Sequence, residues 1–210
     1  MLSYLLFTVT GFLSGSILYS VLIARIFCGI DIITDSEDGN PGATNVFKYA
    51  NVTCGVIALV LDILKGFIPV YAAAVYLDIK SLYFIPVLAA PVLGHALAPL
   101  FKWHGGKAIA VSFGCMLGMI PNSYLVFLLA LFLIIFTFIL QIKPNSLRCM
   151  VSYLLFLFSS FFVGGPLSIR FGCALIASIV IIRHLIAYEH TKIEMHIILW
   201  DFLKNWRKSA

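Results

Sequence analysis

The sequence predicts an all-α integral membrane protein: a bundle of seven transmembrane helices, N-terminus outside and C-terminus in the cytoplasm. Three observations carry this. Of 210 residues, 62% are hydrophobic and only 11% charged, against roughly 25% charged in a soluble domain. The apolar excess falls in runs, 4–24, 123–142 and 147–163, that contain almost no charge; about 20 apolar residues suffice for a helix to cross a bilayer's hydrocarbon core. The basic residues, finally, partition to one side of the expected bundle, as cytoplasmic loops do. Residues 1–210 form a single transmembrane domain with no room for a soluble one.

The first span runs from about Ser3 to Phe27, with Gly11, Ser14, Gly15 and Ser16 as a small-residue stripe that lets helix backbones approach closely. A polar loop, Asp31 to Asn51, leads to span 2, about Cys54 to Leu77. The turn at Asp78–Ser81 joins it to span 3, about Leu82 to Phe101, and the loop Lys102–Lys107 opens a short span 4 ending at Pro121–Asn122. Span 5 covers about Ser123 to Ile142, and Lys143–Arg148 closes it. Span 6 ends near Gly164–Gly165–Pro166, and span 7 covers about Leu167 to Ile182. The tail from Arg183 alternates charged and apolar residues and is expected to form an interfacial helix, with Trp200 and Trp206 near the lipid surface.

Seven spans place Arg25, Lys48, Lys102, Lys107, Lys143, Arg148, Arg183, Lys192, Lys204, Arg207 and Lys208 on the C-terminal side, and only Lys80 and Arg170 opposite. That asymmetry sets the orientation. It also accounts for the net charge of +5 and the pI near 9.0, so nucleic acid is excluded as a partner. The five cysteines (Cys28, Cys54, Cys115, Cys149 and Cys173) have no metal-ligand spacing and are expected to pack as small apolar residues. No basic residue precedes the first apolar run and no A-x-A site follows it, unlike a cleaved signal.

Four polar features stand out: three fall at the cytoplasmic face of this topology, and the fourth, Asp62–Lys65 in span 2, enters from that face. The first loop carries Asp38, Gly39, Asn40, Gly42, Thr44 and Asn45; such turns point backbone N–H groups at an anion, although alone the run is that of a solvated turn. Asp62 and Lys65 share a helix face three residues apart, about 10 Å into span 2 at 1.5 Å per residue. Charges at that depth face a bundle interior or wet cavity; they serve either as a neutral lock between helices or as part of a site. Gly94–His95 and Gly105–Gly106–Lys107 follow, the latter at a helix N-terminus where an anion is favoured. Arg183–His184 ends span 7; alone, the arginine is a snorkelling anchor. Together the four suggest a site for a phosphorylated, lipid-bound substrate.

These motifs, in this order and spacing, resemble the bacterial acyl-phosphate:glycerol-3-phosphate acyltransferases, the PlsY family. The carriers are Gly39-Asn40-x-Gly42-Ala43-Thr44-Asn45, Asp62-x-x-Lys65-Gly66, Gly94-His95 with Gly105-Gly106-Lys107, and Arg183-His184. The resemblance implies a seven-helix enzyme of the bacterial cytoplasmic membrane, its site facing the cytoplasm. It would make lysophosphatidic acid from acyl phosphate and glycerol 3-phosphate, with no cofactor and no metal. The chain departs from the family at four places. Glu37-Asp38 stand where Gly-Ser is usual, placing two carboxylates beside a phosphate site unless a cation or lysine intervenes. Lys48 replaces an arginine, Ala108 replaces a glycine, and Ile186-Ala187 replace Glu-Asn.

An acyl phosphate is already activated, so the protein needs chiefly to hold two anions and stabilise an oxyanion. The resemblance then assigns Lys107, Lys65 and Arg183 to phosphate charge, with Lys48 in the binding set. It assigns the Gly39–Asn45 and Gly105–Gly106 backbones to anion cradling, and Asn45 and Thr44 to substrate oxygens. Asp62 would position Lys65, while His95 and His184 are the candidate proton acceptors. The alternatives are a relative that acylates another phosphorylated acceptor, and a transporter or binding protein for an anion or lipid. Polar groups gathered at one membrane face argue for the enzyme.

Overall fold

The computed structural model describes residues 1–163, 165–188 and 191–197. The expected span end at Gly164 and the tail residues Trp200, Lys204, Trp206, Arg207 and Lys208 lie outside the described residues. The described chain is helical apart from one two-stranded ribbon. Its elements are α1 (Leu2–Ser16), α2 (Tyr19–Cys28), α3 (Ile32–Asp35), α4 (Ala43–Tyr49), α5 (Val52–Tyr76), α6 (Phe84–Leu97), α7 (Ile109–Leu117), α8 (Leu125–Ile134), β1 (Leu140–Lys143), α9 (Asn145–Phe162), α10 (Leu167–Ile186) and β2 (Glu194–Ile197).

Five segments are long and apolar enough to cross a membrane: Leu2–Cys28, Val52–Tyr76, Phe84–Phe101, Asn145–Phe162 and Leu167–Ile186. They match expected spans 1, 2, 3, 6 and 7. Expected span 5 is the shorter apolar stretch Leu125–Ile139, and expected span 4 contracts to the nine residues of α7. At 1.5 Å per residue, α7 is only about 14 Å long. Many large apolar side chains face outward, among them Leu5, Val60, Ile68, Leu131 and Phe158, as lipid-facing surfaces require.

Two pairs of helices pack backbone to backbone through their glycines. A Cβ at Gly15 would lie 2.0 Å from the Pro91 carbonyl oxygen, and one at Gly94 would lie 2.1 Å from that of Phe12. The predicted stripe thus seats α1 on α6. Likewise, a Cβ at Gly114 would meet the Ile63 oxygen at 2.0 Å and one at Gly66 the Val111 oxygen at 2.4 Å. That contact holds α5 against α7. The main core, including Leu88, Phe84, Tyr153, Phe156 and Ile176, lies among the long helices, and a second one, around Leu18, Val21, Ile32 and Val46, sits beneath the first loop.

The chain's connections sort to two ends. Tyr4 donates to the Asp78 carbonyl (3.1 Å), and the Ser168 hydroxyl donates to that of Ile79, marking one end. The loop 31–51, the loop 102–107, Asn145 and the end of α10 meet at the other, where they share a cavity.

Span 1 is not one continuous helix. At Ile17 the backbone turns extended (φ −76°, ψ 118°) between α1 and α2. Beyond the end of α10 at Ile186, the described tail is not helical either. Glu194–Ile197 pairs antiparallel with Leu140–Lys143, Glu194 opposite Lys143, and so β1 takes residues that the pattern gave to span 5. The alternation of charged and apolar residues in the tail has a period of two, which is the period of a strand. Arg183 and His184 fall inside the last turn of α10 rather than beyond it.

Candidate functional site

The first loop is knitted around Asn45. This residue, buried at the start of α4, directs its side-chain amide nitrogen at the Ser36 hydroxyl (2.9 Å), Asp38 Oδ1 (2.7 Å) and the Asn40 carbonyl (2.9 Å). Asp38 Oδ1 also accepts from the Asn40 N–H at 3.1 Å. Its other oxygen accepts from Lys107 Nζ at 2.9 Å, while Asn40 Oδ1 accepts from the Lys107 N–H at 3.1 Å. Burial drives the Asp38 pKa up, but the hydrogen bonds from Asn45, Lys107 and Asn40 and the Lys107 charge outweigh it and hold it below the ordinary 3.8. Both carboxylates that depart from the family pattern therefore have a lysine. Asp38 takes Lys107, and exposed Glu37 takes Lys48 at 2.9 Å.

A second cluster lies deeper, where the break in span 1 matters. Asp62 and Lys65 are 1% and 3% exposed and pair at 2.8 Å, as their spacing predicted. The free carbonyl of Ile17, at the α1–α2 break, accepts from Lys65 Nζ at 2.6 Å. The same nitrogen lies 2.8 Å from His95 Nδ1, and Ser20 donates to Asp62 Oδ2 at 2.7 Å. Lys65 thus has three close partners, two in hydrogen-bond geometry and Asp62 as its counter-ion, whose Oδ1 accepts no hydrogen bond from the described residues. Because an ammonium only donates, His95 Nδ1 is the acceptor, and the neutral ring carries its proton on Nε2.

The glycines of the third motif work by closeness. A Cβ at Gly105 would lie 1.9 Å from the Ala96 oxygen, and one at Gly106 would lie 2.3 Å from His95 Nε2. The Gly106 N–H is already donated to the His95 carbonyl at 3.1 Å. Arg183 Nε donates to the Gly106 carbonyl at 3.1 Å, and its Nη2 donates to that of Gly105. The arginine clamps this loop onto α10. Ala108, where the family has glycine, is left-handed at φ +63°.

These groups border a cavity of about 330 Å³. Asp38, Asn40, Gly42, Thr44, Asn45, Asp62, His95, Lys107 and His184 all line it. Among the described residues, Lys107 is its one cationic lining side chain. Gly39, Lys48, Lys65, Gly105, Gly106 and Arg183 do not line it. Each has an identifiable engagement instead: Lys65 with its three buried partners, Lys48 with Glu37, Arg183 with two carbonyls, and Gly39 in a left-handed turn at φ +57°. The expected phosphate cations Lys65 and Arg183 are thus committed to protein groups, and the Gly106 N–H is not available as a cradle.

His184 is the mirror of His95. Fully buried, it contacts the Val180 carbonyl through Nδ1 at 2.9 Å. A carbonyl only accepts, so Nδ1 carries the proton. Nε2 has no partner among the described residues, and in the neutral ring it presents a lone pair. Sequence reasoning missed Ser20, Ser36 and Asn145. The last lines the cavity from the α9 N-terminus; the polar run Lys143–Pro144–Asn145 inside an apolar chain was the available signal. The cavity's other wall is apolar, made by Leu59, Ile63, Ile109 and Phe113 of α5 and α7.

A family model described as "Glycerol-3-phosphate acyltransferase" matches residues 5–193. A glycerol-3-phosphate acyltransferase of Endomicrobium trichonymphae is 34% identical over 184 residues, 88% of this chain and 89% of the relative. One of Aquifex aeolicus is 33% identical over 180 residues, 86% and 91%. Among solved structures, the crystal structure of PlsY (YgiH), an integral membrane glycerol 3-phosphate acyltransferase, is similar in two forms. Its glycerol 3-phosphate form has a TM-score of 0.76 at 29% identity, covering 90% of this chain and 96% of that one. Its lysophosphatidic acid form has a TM-score of 0.72 at 30% identity, covering 87% and 88%. With the motifs, the membrane helices and nearly the whole length in agreement, the chain belongs to the glycerol-3-phosphate acyltransferase family.

Proposed function

We propose that the chain transfers an acyl group from an acyl phosphate to a hydroxyl of glycerol 3-phosphate, giving lysophosphatidic acid and inorganic phosphate in phospholipid synthesis. The observation that carries this reading is the composition of one cavity: a lysine and the bare nitrogen of a histidine at one end of a membrane bundle, opposite an apolar wall.

Lys107 holds phosphate charge, and the apolar wall of Leu59, Ile63 and Phe113 receives the acyl chain. The His184 Nε2 lone pair takes the proton of the attacking hydroxyl as its oxygen bonds to the acyl carbon. The His95 Nε2–H donates to the carbonyl oxygen as it gains charge. Collapse breaks the bond from acyl carbon to phosphate oxygen, and the proton returns from His184 to the departing phosphate. Asn45, Asp62, Lys65 and Arg183 are positioning residues in this scheme. Thr44, Asn40 and Gly42 bind substrate oxygens.

In the membrane we place seven spans, with Leu125–Ile139 and the short α7 as the fifth and fourth. The N-terminus is outside and the cavity end faces the cytoplasm of a bacterial inner membrane. The gathering of Arg25, Lys48, Lys102, Lys107, Lys143, Arg148 and Arg183 around the cavity end supports this orientation. The Asp38–Lys107 pair supports a second reading, in which the acceptor is a different phosphorylated alcohol. Purified protein supplied with palmitoyl phosphate should form lysophosphatidic acid, identified by mass, when glycerol 3-phosphate is the acceptor. Acylation of glycerol 1-phosphate or another phosphorylated alcohol in its place would favour the second reading, and no acyl transfer to any of them would refute both.

A further inference from the structure

Outside the cavity, the described residues contain one pair of thiols in contact. Cys28 Sγ lies 3.1 Å from Cys54 Sγ, and no disulfide joins them. Cys28 ends α2 and is partly exposed, whereas Cys54 is buried in the first turn of α5. Asn51 ties the two together. Its Oδ1 accepts from the Cys54 N–H at 2.8 Å, and its Nδ2 donates to Cys28 Sγ at 3.3 Å. The segment between the two cysteines carries Asp38, Asn40, Gly42, Thr44 and Asn45, all of which line the cavity. The two sulfurs therefore sit at the neck of the site loop.

We propose that Cys28 and Cys54 are a modification site: a reversible disulfide that closes this neck. The sulfurs need to approach by only about 1 Å to reach the bond length of about 2.05 Å. The co-reactant is a low-molecular-weight disulfide. The Cys28 thiolate, the more accessible, attacks one of its sulfurs and releases the other as thiolate. The Cys54 thiolate then attacks the Cys28 sulfur of the mixed disulfide and releases the second thiolate. The two protein sulfurs lose two electrons, the small disulfide gains them, and the two thiol protons pass to the released thiolates. The staple closes a loop whose ends are 26 residues apart, and neither cysteine lines the cavity. It should therefore slow thermal inactivation by constraining the opened loop and leave turnover unchanged. The chemistry does not depend on which acceptor the enzyme uses.

The test treats the purified full-length protein with oxidised glutathione, blocks free thiols and maps peptides by mass spectrometry. The expected result is a cross-linked peptide joining Cys28 to Cys54, reversed by dithiothreitol and absent from Cys28→Ser and Cys54→Ser. In the unmutated protein, titration of denatured samples should show two of the five thiols lost, whether or not the variants fold. The half-life of the oxidised protein at an inactivating temperature should be several-fold longer, read by retained helicity as well as acyl transfer. Glutathione persisting on Cys28 without the cross-link would overturn the proposal, as would a cross-link that leaves the half-life unchanged.

Discussion

The Lys107 ammonium and the Asp38 carboxylate meet at 2.9 Å across the mouth of the cavity, joining two loops 69 residues apart. The lysine that the family motif offers to a phosphate is thus held by an acid that the family motif lacks. A phosphorylated substrate must compete with Asp38 for that cation. The pair is partly solvated, with side-chain exposures of 15% and 36%, so the competition is modest.

Asp38→Asn keeps an oxygen to accept from Asn45 and from the Asn40 N–H while removing the charge that holds Lys107. The KM for glycerol 3-phosphate should fall about fivefold, close to 1 kcal/mol, in steady-state assays at saturating palmitoyl phosphate. Because Asp38 titrates below 3.8, it is ionised at both pH 6 and pH 8, and the gain should be equal at the two. The bonds its carboxylate makes are in place above its ordinary pKa and lost as pH falls through the lower folded value. Acid therefore releases Lys107 in the unmutated protein. An unchanged or higher KM in Asp38→Asn would show that the pair does not restrain the lysine.

The two histidines should separate kinetically. His184→Gln leaves an oxygen near the Nε2 position that cannot hold a proton, so kcat should fall roughly 10²- to 10⁴-fold with little change in KM. His95→Asn keeps an acceptor for Lys65 and loses only the Nε2–H donor, so it should lose less. A His184→Gln enzyme within threefold of the unmutated kcat would remove His184 as the proton acceptor.

How far this site was legible depends on the range of the interaction. The apolar runs were enough for the long spans, and the three-residue spacing of Asp62 and Lys65 was enough for their ion pair. What Lys65 does with its remaining hydrogens was not, because one acceptor is the Ile17 carbonyl, 48 residues away and free only because span 1 breaks there. No proline marks that break. Arg183 was legible as a cation, yet its partners are carbonyls 77 and 78 residues distant, and no sequence pattern encodes those. The alternating tail could be recognised as periodic, but its strand partner, β1, lies inside an apolar run that otherwise belongs to a helix.

The buried cluster makes its own prediction. Lys65→Met leaves Asp62 charged and without its counter-ion in the bundle interior, at a cost of about 3–5 kcal/mol, seen as a large drop in thermal stability in detergent. The double substitution Asp62→Leu with Lys65→Met should be more stable than either single change. It should still transfer acyl groups poorly, since nothing then fixes the His95 proton on Nε2. Full activity in the double variant would reduce the cluster to a helix lock.

Ala108 offers a test of the backbone alone. Its left-handed φ of +63° costs a side-chain-bearing residue about 1–2 kcal/mol. Ala108→Gly should therefore raise the melting temperature of the purified protein. A lower melting temperature would mean that the Ala108 methyl group contributes more by packing than the backbone loses by strain.

The central claim is that Lys107, at this cavity, serves acyl transfer from acyl phosphate to glycerol 3-phosphate. The most direct measurement is phosphate release by purified protein given palmitoyl phosphate, with and without glycerol 3-phosphate, for the unmutated chain and Lys107→Ala. Release that requires glycerol 3-phosphate and is lost in a folded Lys107→Ala variant is the predicted result. Release that persists undiminished in Lys107→Ala would contradict it.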